Sequence, residues 1–145
     1  MKFLLIIDKT AQEQVVVTAR EKTEVISRIE ELVANEGKTL LAYGDDEVSV
    51  LSLSEIECVT VIGGKTYAIT ASGKKFRLRM RLCEAESFLP SEFIRINKSA
   101  IANRNFIDRF TVSFSGAMDV VFKSGYKDYV SRRCFAEIKR RFGVK

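Results

Sequence analysis

Between residues 38 and 130 the chain is punctuated by pairs of small residues that suit tight turns: Gly63-Gly64, Ser72-Gly73, Ser115-Gly116 and Ser124-Gly125. The runs they separate are short, apolar and rich in β-branched side chains. Residues 40–43, 48–53, 56–62, 65–71 and 74–79 read as strands, as do 106–114, 118–122 and 126–130. Two short helices interrupt them. Leu82, Cys83, Ala85, Phe88 and Leu89 share a helical face that must stop before Pro90, because the residue ahead of a proline is pushed out of the helical region. Ser131 can cap a terminal helix with Phe135, Ile138 and Phe142 inward and Arg132, Arg133, Lys139, Arg140 and Arg141 largely outward. The pattern is that of a mainly β (α+β) domain with peripheral helices, without internal repeat, low-complexity stretch or flexible linker.

The first 37 residues keep a different rhythm. Residues 2–7 and 14–19 read as two strands, and from Lys22 the period lengthens to that of a helix. Val25, Ile26, Ile29, Leu32 and Val33 form one apolar stripe. Glu21 and Glu24 suit the positive start of the helix dipole, and Gly37 is placed to close its end. The stripe packs on the two preceding strands in one reading and pairs with a second copy in the other. The expected division is a strand-strand-helix extension over 1–37 and a β-rich domain over 38–145.

Composition matters mainly for what it removes. There is no histidine among the 145 residues, which removes Ser-His-Asp and Cys-His nucleophiles, imidazole bases and His-containing metal sites. Cys58, Cys83 and Cys134 are scattered without a Cys-x-x-Cys pair and read as small buried apolar residues in a reducing compartment. No apolar run approaches the roughly 18–20 residues of a membrane span, and Met1 to Asp8 is too short and too soon acidic for a signal peptide. The cytoplasm is the expected location. Gly63-Gly64-Lys65-Thr66 has the tail of a phosphate-binding loop, but Val59 stands where the leading glycine is required, and residues 66–70 alternate as a strand. Asp45-Asp46-Glu47 reads as a solvated acidic turn. The expectation is a chain that is not an enzyme and takes no cofactor, metal or small-molecule substrate.

The charge is unevenly placed. Residues 1–60 sum to −6, whereas 61–145 carry 18 Lys and Arg against 7 Asp and Glu, a net of +11. A basic segment of that size suits a polyanion, nucleic acid first. In Lys75-Phe76-Arg77-Leu78-Arg79-Met80-Arg81-Leu82 basic and apolar residues alternate strictly, as on a half-buried strand with a cationic outer face. Its plain reading is a sheet edge kept soluble by charge. Over residues 95–107, Arg95, Asn97, Lys98, Ser99, Asn103 and Arg104 break up two short apolar runs. Asn, Lys and Arg read base edges and Ser holds phosphates, so a loop and turn carrying Asn97, Lys98 and Ser99 has the chemistry of a reader. The same basic face would also serve a protein-interaction module, or a single-stranded RNA binder stacking bases on Phe76, Tyr67 or Phe106.

A more specific pattern lies in the same region. Phe93-Ile94-Arg95-Ile96-Asn97-Lys98-Ser99-Ala100-Ile101-Ala102-Asn103 followed by Ile107 resembles the signature of the LytTR DNA-binding family. Tyr129-Val130-Ser131-Arg132-Arg133 resembles that family's C-terminal motif, and Leu53-Ser54-Glu55-Ile56-Glu57 its entry to the third strand. The three fall in the family's order and spacing, and the first 37 residues resemble the leader of stand-alone LytTR regulators, which lack a receiver domain. The resemblance implies small antiparallel sheets that place loops, instead of a recognition helix, into successive major grooves. It implies base contacts from Lys65 and Thr66, from Asn97 and Lys98, and from Arg133 at the start of the last helix. Arg95, Ser99, Arg104 and Ser131 would hold phosphates or shape loops, and Asn103, beside a turn, reads as a backbone cap. The implied protein is a sequence-specific transcriptional regulator that binds tandem half-sites in double-stranded DNA as a homodimer, with a small membrane protein as antagonist. Many relatives carry His or Ser at the position of Asn97 and bulkier residues at Ala100 and Ala102, so the bases read and the packing beneath the loop should differ here.

Overall fold

The computed structural model describes residues 1–34 and 36–142. The chain divides into two compact units, Met1–Glu36 and a second that begins at Gly37.

In the first unit, α1 (Glu24–Ala34) is the one regular element among the described residues. Thr23 opens it: its Oγ1 accepts from Ile26 N at 3.4 Å and its carbonyl from Ser27 N at 3.1 Å. Lys22 and Glu30 pair at 2.7 Å. The two strands expected ahead of the helix do not form. Residues 1–23 hold only a turn, in which Asp8 O accepts from Ala11 N and the Asp8 carboxylate accepts from Thr10 N and Oγ1. A two-stranded ribbon with nothing packed on its face is marginal in water, and α1 buries none of its residues. No described residue of this unit is buried.

The second unit builds two antiparallel sheets. The larger uses β1 (Thr39–Tyr43), β2 (Val48–Ser52), β3 (Ile56–Ile62), β4 (Lys65–Thr70), β5 (Lys75–Leu78), β6 (Phe93–Asn97) and β7 (Ala100–Asn103). Its seven strands run in the order β2-β1-β5-β4-β3-β7-β6. The smaller is β8 (Ile107–Val112), β9 (Met118–Phe122) and β10 (Lys127–Val130), with β9 in the middle. Helices α2 (Leu82–Phe88) and α3 (Arg132–Arg141) complete the unit. The expected β-rich class with peripheral helices is the observed one, and the expected strands recur within two residues of their ends. Two local expectations change. The two short apolar runs of 95–107, not assigned as strands in the pattern, pair as the β6–β7 hairpin, and the expected turn carries Lys98 and Ser99. The cationic strand β5 is not an edge; it lies between β1 and β4.

The period-two alternation of the larger sheet feeds two cores. Leu40, Ala42, Val59, Ala68, Leu78 and Ile101 point to one face, under Leu82 and Ala85 of α2. Ile69, Ile94, Ile96 and Ala102 point to the other, where Val120, Phe122 and Val130 of the smaller sheet and Ile138 of α3 meet them. Phe135 and Phe142 pack on this second core, as the apolar stripe of α3 requires. Cys58 belongs to it, and burial pushes its thiol well above the usual range. Cys83, in contrast, is exposed on α2 because the helix turns Leu82 and Ala85 inward instead. Among the described residues no helix is long and apolar enough to cross a membrane.

Two β-bulges join the sheets. The β3–β4 register slips between Ile56 and Cys58, and the β6–β7 register between Arg95 and Asn97. Each bulge adds one residue to its strand, so a polar side chain joins its apolar neighbour on the side of the smaller sheet. One delivers Glu57, which is fully buried and accepts from Ser124 N at 3.1 Å and Ser124 Oγ at 2.6 Å in the β9–β10 turn. The other delivers Asn97 toward β10.

Candidate nucleic-acid interface

Two chain reversals and the start of α3 meet at one end of the larger sheet. The β3–β4 hairpin turns through Gly63 and Gly64, whose φ values of 58° and 78° suit the tight two-residue reversal that the strand twist favours. Beside it, the β6–β7 turn is anchored where Ser99 O accepts from Val61 N at 2.8 Å and from Thr60 Oγ1 at 3.3 Å. On the far side of that turn, Ser131 N donates to Ile96 O at 2.9 Å and ties the start of α3 to β6.

Each of the three is fixed by its own residues. In the β6–β7 turn, Asn97 Oδ1 accepts from Ser99 N at 2.7 Å, and its Nδ2 donates to Tyr129 O at 2.8 Å and Asp128 Oδ1 at 3.3 Å. Arg95 holds the same turn from the opposite face: Nε donates to Asn97 O at 2.8 Å, and a terminal nitrogen to Lys98 O at 2.7 Å. Its other terminal nitrogen pairs with Glu86 of α2 at 2.5 Å. Clamped on both sides, the turn leaves Lys98 exposed at its tip. At α3, Ser131 Oγ accepts from Cys134 N at 3.2 Å, the expected N-cap, and Arg132 and Arg133 stand exposed in the first turn. At the hairpin tip Lys65 is exposed.

The residues expected to touch bases therefore separate. Lys65, Lys98 and Arg133 are exposed and share one end of the sheet. Asn97 is 1% exposed and its amide is engaged within the protein, so it sets the shape of the turn and offers no base contact. Thr66 is 6% exposed, buried between Val61 and Leu78 in the sheet. Among the phosphate or loop-shaping candidates, Arg95, Ser99 and Ser131 all take part in fixing the turns. Arg104 does not. It follows the opposite end of β7, with its guanidinium 4.5 Å from the ring centre of Phe142. Asn103 caps the backbone: it accepts from Asn105 N at 3.1 Å, donates to Ile56 O at 2.9 Å, and is 1% exposed.

Asp128 is bonded to this cluster through Asn97, as Glu86 is through Arg95. Desolvation raises the Asp128 pKa above the usual carboxylate value against the hydrogen bonds from Tyr129 N and Asn97. Tyr126, stacked on Phe122 at 5.7 Å, is pushed up to about 12, chiefly by burial. Sequence reasoning missed Glu57 as a sheet anchor; a lone acid between Ile56 and Cys58 in an apolar strand was its signal. Among the described residues no group of three His, Cys, Asp or Glu side chains is placed to hold a metal ion.

An antiparallel β domain with exposed cations at the tips of hydrogen-bonded turns defines a module with the surface chemistry to meet a polyanion. The sequence pattern of the LytTr DNA-binding domain matches residues 46–143, and the chain belongs to the LytTR family. A Staphylococcus aureus (strain NCTC 8325) protein named as an HTH-type transcriptional regulator is 34% identical over 120 residues, spanning 83% of this chain and 80% of the relative. Its counterpart in the bovine strain RF122 is 33% identical over the same spans. The solved LytTr DNA-binding domain of a methyl-accepting/DNA response regulator from Bacillus cereus shares the fold, with a TM-score of 0.67 at 22% identity. That match covers 74% of this chain and 99% of the solved one. Unlike a helix-turn-helix, no two helices of this chain are consecutive among the described residues.

Proposed function

We propose that this chain is a sequence-specific transcriptional regulator of double-stranded DNA that inserts its three turns into successive major grooves, two copies occupying tandem half-sites. The observation that carries this reading is the convergence of Lys65, Lys98 and Arg133 on backbone that internal hydrogen bonds already hold in place. Turns fixed before binding lose little conformational freedom on DNA. Arg133 is the side chain suited to bidentate recognition of guanine, worth about 1–3 kcal/mol of discrimination. Single-stranded RNA stacking fares worse, since Phe76 packs against the first core and Phe106 against the second, leaving Tyr67 as the remaining ring of the three.

The test is unbiased selection of bound duplexes from random DNA, followed by titration across a salt series. A repeated half-site should emerge. If about five phosphates are neutralised, log K should fall against log[salt] with a slope near −4 to −5. A flat slope, or no duplex binding at low salt, overturns the reading.

A further inference from the structure

The cationic strand β5 is left unexplained by the three turns. It is an interior strand, so its charges do not guard a sheet edge. Lys75 lies opposite Ile69, and Arg77 opposite Tyr67 and Tyr43, so β5 turns its basic side chains to the same face as the second core. There, between the hairpin tip and the β1–β2 turn, the sheet forms a cleft of about 400 Å³. Lys65, Lys75, Arg77 and Arg79 line it against a single carboxylate, Asp45. The Arg79 guanidinium stacks 4.0 Å from the ring centre of Tyr43, which orients it through its face and keeps its edge donors available. Arg77 Nε is buried with no acceptor in the protein. A shielded donor among three further cations calls for an anionic oxygen.

We propose that this cleft holds backbone phosphates of the duplex flanking the bases met by the three turns. The inference rests on the duplex-binding reading above and extends its footprint. Lys65 belongs both to the cleft and to the hairpin tip, so DNA seated at the tip continues across β5. From β4 to β1 is two strand spacings, about 10 Å, or about three base pairs of duplex. Beyond β1, Asp45, Asp46 and Glu47 end the positive field and set its outer limit. Contacts of this kind add affinity and fix the register of the protein on DNA without reading sequence.

The experiment compares the full chain with the double variant Lys75→Gln/Arg79→Gln on the duplex recovered by selection. Affinity is measured across a salt series, on the intact duplex and after removal of about three base pairs from each flank in turn. The salt slope of the variant should be shallower by about 1.8, the value for two phosphates. Trimming one flank should weaken the wild type and leave the variant unchanged, while the selected half-site stays the same for both. The charge-preserving variant Lys75→Arg/Arg79→Lys should keep the wild-type slope; if it falls with the Gln variant, the effect is one of folding and the assignment fails. Equal slopes and equal flank sensitivity in wild type and Gln variant overturn the cleft alone. No binding of any duplex by the wild type overturns both readings. Inorganic phosphate supplies the same chemistry in free form: saturable binding that shifts only cleft amides, with no flank effect, replaces the DNA backbone with a free phosphorylated ligand.

Discussion

The Asn97 amide makes three hydrogen bonds while 1% exposed, and two of them reach β10. Alanine at this position removes the partners of Ser99 N and Tyr129 O in a half-buried turn, at about 0.5–1.5 kcal/mol for each lost hydrogen bond. Asn97→Ala should therefore lower the free energy of unfolding in chemical denaturation and weaken binding to all duplexes alike, because Lys98 moves with the turn. Lys98→Ala and Arg133→Ala provide the contrast. Both side chains are exposed, so stability should stay within about 0.5 kcal/mol of wild type while preference for the selected site over random duplex is lost. If both variants keep that preference, these residues are phosphate contacts and nothing more. The type of residue at position 97 was legible in the sequence, and its burial was not. An asparagine beside Lys98 and Ser99 has the same chemistry facing DNA as facing β10; only the bulge decides between them.

At the scale of elements, the turn-forming pairs made the strands legible, because each Gly with positive φ ends one run and begins the next. What pairing leaves to tertiary context was harder to read. Strict alternation in 75–82 describes a strand with one wet face, and that is equally true of an edge and of an interior strand whose face stays open. Bulges leave no mark in hydropathy, yet Glu57 and Asn97 show that here they hold the smaller sheet against the larger. Glu57→Ala should test this directly. Losing the carboxylate removes both of its hydrogen bonds to Ser124, which is exposed and can turn to water, at a net cost of about 0.5–1.5 kcal/mol each, and the β9–β10 turn should lose its protection from hydrogen exchange before the β3–β4 hairpin does. Uniform loss of protection across both sheets would show that Glu57 supports the whole fold instead of one joint.

At the scale of the whole molecule, the first unit poses the question of a second copy. Twelve of its large hydrophobic side chains are exposed, among them Phe3, Leu4, Ile6, Val16 and Leu32, and no described residue in it is buried. Segments below about 40 residues rarely hold a fold without disulfides, metals or oligomerisation. This unit has no cysteine, and pairing with its own kind would bury apolar area at about 25 cal/mol per Å². Its net charge of −2 opposes that pairing only weakly, since a Debye length of about 8 Å screens it at physiological salt. On the DNA side the need matches: the row of strands from β1 to β6 crosses five spacings, about 24 Å, which is less than the 34–36 Å between half-sites one helical turn apart. Two copies joined through the first unit would raise the effective concentration of the second reader at its own half-site. The full chain should therefore sediment as a dimer, and Ile6→Lys/Val16→Lys should sediment as a monomer with the second unit still folded by circular dichroism. On a duplex with both half-sites that variant should bind less steeply and more weakly, while on a single half-site it should match the wild type. A wild-type chain that stays monomeric at every concentration, and fills two half-sites independently, would remove the homodimer from this account.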